Sequence, residues 1–172
     1  MKRVVLIFIV IILSFFTTSL ALDNPNKESI KCIITIPTLN LKKLSNLPKD
    51  YPPKEAIKNG DIVFDQIFYY NVDLLDNFIE NFEKNNLHPN EMVRITSYTV
   101  EGSPIIKDLI FTNNILTLKV DQSRNFYFNP ENLIIKKYEI KRIYTLIIKD
   151  TIFYMAETTS GEKIPIVIFT KN

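Results

Sequence analysis

The sequence predicts an α+β domain, one amphipathic helix packed on a curved antiparallel β-sheet, preceded by an N-terminal signal helix. Three observations point there. Between residues 74 and 82 the apolar residues recur at the helical period. After Pro89 the chain runs in short stretches that alternate apolar and polar residues, separated by turn residues. The first 21 residues have the layout of an export signal. At 172 residues and 46% hydrophobic content, the chain suits a single domain with a real core.

The signal comes first. Met1-Lys2-Arg3 is a basic start, residues 4–13 (VVLIFIVIIL) are unbroken and apolar, and Ser19-Leu20-Ala21 places small residues at −3 and −1 of a cleavage site. Residues 4–22 are also just long enough to cross a bilayer as an uncleaved anchor. Thr17, Thr18 and Ser19 weaken the end of that span and favour cleavage. The domain plan is thus a signal peptide over 1–21, a linker over 22–51 and one α+β domain over 52–172. Lys2 and Arg3 account for the whole +2 net charge, because 21 basic residues less those two leaves 19 against 19 acidic ones. A neutral mature chain lacks the clustered cation of a nucleic-acid binder. Membrane contact is expected only through the N-terminal segment.

Residues 22–51 have no strong period and are broken by Pro37 and Pro48. The single cysteine, Cys32 in IKCIITI, has no intrachain partner and reads as a small buried hydrophobe rather than a reactive thiol. Pro53 suits the first position of a short helix over 54–58, which Asn59-Gly60 ends. DIVFDQI reads as a strand. Asn71 is placed to cap the long helix and Asp73 suits its first turn. Leu74, Leu75, Phe78, Ile79 and Phe82 form the apolar stripe, with Asp73, Asp76, Glu80 and Glu83 on the other face. Those carboxylates read as a solvated surface; no His or Cys joins them to make a metal site.

MVRITSYTV, PIIKDLIF, ILTLKVD, LIIKKYEI, IYTLIIK, TIFYMAE and KIPIVIF then read as strands. Gly102 and Asn113-Asn114 supply the positive φ of hairpin turns. Short turns make consecutive strands antiparallel neighbours. Pro165 cannot donate to a ladder, so the last strand is expected at an edge.

Three stretches in this order, PPKEAIKNGDIV (52–63), VRITSYTVEGSPIIKDL (93–109) and VDQSRNFY (120–127), resemble a domain-of-unknown-function family of small secreted proteins and lipoproteins from low-GC Gram-positive bacteria. The resemblance runs from about residue 50 to the C-terminus. It implies extracytoplasmic placement, secreted or anchored by an uncleaved signal, and brings no activity. The lipid-bearing Cys of the lipoprotein relatives is missing here.

Catalytic constellations are sparse. His88 is the only His, and with 3 Gly there is no phosphate-cradling loop. No cofactor is expected. Arg94, Tyr98, Glu101, Asp121 and Arg124 are the ligand-binding candidates: an Arg, a Tyr and an acid together suit a carboxylate or a peptide end, although a structural ion pair is the simpler reading of the same residues. The expected function is a non-catalytic exported module binding a protein, peptide or cell-envelope component. The alternative is a small hydrolase with a carboxylate pair.

Overall fold

The computed structural model describes residues 41–125 and 135–170. The signal segment, Cys32 and Tyr127 lie outside the described residues, as does the start of LIIKKYEI. Among the described residues no helix is long and apolar enough to cross a membrane.

A single turn of 3-10 helix (Leu44–Asn46) leads into helix α1 (Pro53–Lys58) and strand β1 (Ile62–Phe64). The two-residue strand β2 (Tyr69–Tyr70) precedes helix α2 (Val72–Glu83). Strands β3 (Met92–Tyr98), β4 (Pro104–Thr112), β5 (Ile115–Asp121), β6 (Ile135–Ile148), β7 (Thr151–Thr158) and β8 (Lys163–Thr170) follow. They make one sheet in the order β2-β1-β3-β4-β5-β6-β7-β8. The last strand is at an edge, beside Pro165 as expected.

The sheet is mixed, not wholly antiparallel. β1 pairs with β3 in parallel, Ile62 opposite Ile95 and Phe64 opposite Ser97. The cause is the crossover: α2 lies between the two strands and returns the chain to the same end of the sheet, which a tight turn cannot do. LIIKKYEI and IYTLIIK, expected as two strands, are one 14-residue strand with a register shift between Ile140 and Arg142. A second shift sets Tyr154 opposite Val167 but Met155 opposite Pro165, leaving Ile166 as the extra residue. Such bulges bend and twist a sheet. Here the bend carries β8 back across the concave face, where the Phe169 ring packs at a tilt on Phe64, centroids 4.9 Å apart, and on Tyr69 at 5.1 Å.

α2 fills that concave face. Leu75, Phe78 and Ile79 are buried against Ile62, Ile95, Leu109, Leu118 and Ile166, while Leu74 and Phe82 are half-buried at the margin. Tyr154 Oη ties the helix to β7 by donating to Asp76 at 2.6 Å. Asn71 stands at the helix start but does not cap it with its side chain; at φ 59° its amide instead donates to the Asp61 carbonyl at 3.0 Å. The opposite face is covered by the segment before α1 and by α1 itself. Leu44, Leu47, Tyr51 and Ala56 pack there on Val63, Tyr98 and Ile106. β1, β3 and β4 are therefore buried on both faces.

Gly102 closes the β3–β4 turn at φ 80°, its N–H donating to the Thr99 carbonyl at 2.8 Å. Asn113 and Asn114, at φ 52° and 62°, close the β4–β5 hairpin.

Candidate functional site

Strand alternation puts Arg94, Thr96 and Tyr98 on the face under the residue 42–51 segment. Arg94 is only 1% exposed. Its Nε and Nη2 donate to the two oxygens of Asp108 at 2.7 and 2.9 Å, and Nη2 also reaches the Lys42 carbonyl at 2.8 Å. Burial works against the guanidinium charge, yet the Asp108 bonds and charge outweigh it and raise its pKa. Tyr98 Oη donates to the Tyr51 carbonyl at 2.8 Å. Arg124 pairs with Asp121 at 2.6 Å and donates to the carbonyls of Leu44, Leu47 and Pro48. Glu101 is exposed and, with Arg124 and Asp50, borders an open hollow of about 520 Å³. The five candidates thus divide: Arg94 and Tyr98 act inside the fold, Asp121 and Arg124 bind the leading segment down, and Glu101 faces water.

Sequence reasoning passed over the centre of this buried network. Asp61 is 0% exposed and its Oδ2 accepts from Tyr51 Oη at 3.0 Å and Thr96 Oγ1 at 2.6 Å. Asp61 Oδ1 and Arg94 Nη1 are buried without a hydrogen-bond partner among the described residues. Burial pushes the Asp61 carboxyl up to about 6, against the hydrogen bond from Thr96 and the charge of Arg94. Burial likewise pushes the Tyr51 hydroxyl up to about 12. The sequence signal for Asp108 was an acid inside the apolar run PIIKDLIF; the β3–β4 pairing sets it directly across from Arg94. Among the described residues no three His, Cys, Asp or Glu side chains converge to hold a metal ion.

A second concavity lies elsewhere. A cleft of about 310 Å³ runs between β8 and the β1–β2 hairpin, lined by Phe64, Asp65, Ile67, Phe68, Tyr69 and Phe169 with neighbours from Ser97, Tyr98 and β8. Ile67 is 79% exposed and Ile168 is 51% exposed; Phe68, Tyr69 and Tyr70 also face water. Thr170, on the cleft wall, pairs with Thr151, and Thr151 with the exposed Ile148 at the β6–β7 turn. The hairpin is held rather than loose. Asp65 N–H donates to the Phe68 carbonyl at 2.9 Å, and Gln66 Nε2 donates to the Thr99 carbonyl at 3.0 Å. Lys107, from β4, closes the other end of the curl. Its Nζ donates to the carbonyls of Pro165 and Ile166 at 3.0 and 2.7 Å. Burial lowers the Lys107 pKa to about 8.

No curated protein and no solved structure matches the chain. The profile of the domain of unknown function DUF4362 matches residues 59–154, which hold β1 to β6, α2, most of the buried polar network and half of β7. That is more than half of the 172 residues, and the chain belongs to the DUF4362 family.

Proposed function

We propose that this chain is an exported, non-catalytic binding module. It takes an extended peptide, part of a protein or cell-envelope component, as an added strand at the edge of β8. The observation that carries the reading is the juxtaposition of a sheet edge with exposed aromatics: among the described residues β8 pairs only with β7, and its free side borders the cleft walled by the β1–β2 hairpin. In strand addition the main-chain ladder provides affinity and the neighbouring side-chain pockets provide selectivity. An apolar cluster of this kind at a sheet edge is otherwise an aggregation hazard, which supports a use for it. Export is supported by the layout of residues 1–21 and by the small secreted proteins that its stretches resemble. Mass spectrometry of the extracellular form is expected to find a chain beginning at Leu22; protein found intact in the cytosol overturns that part.

The test of binding is amide hydrogen exchange with and without blocked nonapeptides of alternating Val and Thr. Protection should rise in β8 and the β1–β2 hairpin, and N-methylation of alternate peptide amides should remove it. Equal binding of the N-methylated peptides, or protection arising on the outer face of α2 instead, refutes strand addition.

A further inference from the structure

We propose that the cleft selects an extended segment carrying a lysine or arginine between apolar residues, and that the selected stretch is about four residues long; this rests on strand addition at β8. The length follows from what β8 has left to offer. Pro165 has no N–H, and the carbonyls of Pro165 and Ile166 are taken by Lys107. The ladder open to a partner is therefore formed by the outward-facing backbone groups of the stretch from Val167 to Thr170, whose other groups bond to β7 and whose residues line the cleft.

The charge preference follows from the walls. Of the lining residues only Asp65 is charged, and no Lys or Arg is among them. Asp65 Oδ1 accepts from the Gln66 N–H at 2.7 Å. Its other carboxylate oxygen has no hydrogen-bond partner among the described residues, so it is open to a donor from the occupant. Beside it Phe64, Tyr69 and Phe169 form a continuous aromatic wall, with centroids 4.9 to 6.4 Å apart. A lysine or arginine stem packs along such rings while its head reaches a carboxylate at the rim. An acidic segment would meet Asp65, and no Lys or Arg among the lining residues offsets that repulsion.

The experiment uses three blocked nonapeptides of alternating Val and Thr that differ only at the central residue: lysine, norleucine or glutamate. Affinities for the protein and for Asp65→Asn are measured by fluorescence anisotropy at low and high salt. Asn at this position keeps the oxygen that accepts from Gln66. The lysine peptide should bind about three- to fivefold tighter than norleucine at low salt, the range of a solvent-accessible ion pair, with glutamate weakest. Asp65→Asn should bring the three together without weakening norleucine. Equal binding of all three to the unaltered protein overturns the charge preference and leaves strand addition standing. Binding of none at millimolar peptide overturns both. A dimer seen by light scattering that no peptide displaces assigns the cleft to a second copy and also overturns the proposal.

Discussion

Replacing Arg94 by Met should cost about 3–5 kcal/mol of folding stability, the range for removing one member of a buried ion pair. The substitution removes three hydrogen bonds at once, two to Asp108 and one to the Lys42 carbonyl. It keeps most of the side-chain volume, so the loss is not chiefly a cavity. What remains is the Asp108 carboxylate, 3% exposed, with its charge uncompensated. Asp108→Leu alone should cost a similar amount, since it strands the guanidinium. The double change Arg94→Met with Asp108→Leu removes both charges together and should cost about 1 kcal/mol, mostly the lost bond to Lys42. The coupling energy is then at least about 3 kcal/mol, well beyond the few tenths typical of independent sites. Urea denaturation followed by circular dichroism measures all four proteins. A loss below about 1 kcal/mol for Arg94→Met, or a double change that costs the sum of the two, would refute the argument that burial makes this pair indispensable only as a pair.

Other outcomes follow from the same structure. Phe78→Ala should destabilise by about 3–5 kcal/mol, because its ring is fully buried between α2 and the sheet; a loss under about 1 kcal/mol in the same urea assay would mean that this face of the helix is not packed. Gly102→Val should cost at least about 1 kcal/mol from backbone strain alone, since φ is 80° and a Cβ there meets nothing within 4 Å; an unchanged melting temperature contradicts it. Asp61 titrates at a higher pH folded than unfolded, so its contribution is fully present below its ordinary value of 3.8 and is lost as pH rises through about 6. Over that window stability should fall by roughly 2–3 kcal/mol relative to Asp61→Asn, and parallel pH–stability curves for the two proteins would disprove it. Arg124→Ala frees the carbonyls of Leu44, Leu47 and Pro48, so limited proteolysis should cut the 42–51 segment faster while the sheet stays intact. Unchanged cleavage of that segment would show that its apolar contacts suffice.

Local chemistry was legible without the fold. The stripe from Leu74 to Phe82 fixes a helix and its buried face because helical geometry brings those positions together whatever they pack on. Gly102 and the Asn113-Asn114 pair had to turn because few other residues accept positive φ. Pro165 announced an edge through its missing N–H. Other features depended on partners remote in sequence. The parallel pairing of β1 with β3 was set by where α2 returns the chain, and the period of IVF is the same in either orientation. The polar character of Arg94 and Tyr98 suggested a surface patch; burial on both faces of β3 turned them inward, since Asp108 faces Arg94 across the β3–β4 ladder and Lys42 and Tyr51 meet the pair once the leading segment folds over the sheet. Asp61 could not be told from any other acid until Tyr51 and Thr96 closed around it. The cleft itself joins Phe64 to Phe169, more than a hundred residues apart in the chain, and exists because the shift at Ile166 bends β8 back over the concave face. Alternation and turn chemistry act over a few residues and stand in the sequence. The curl of the sheet sums the register shifts beside β7 with side-chain packing between distant strands, and only tertiary structure adds them up.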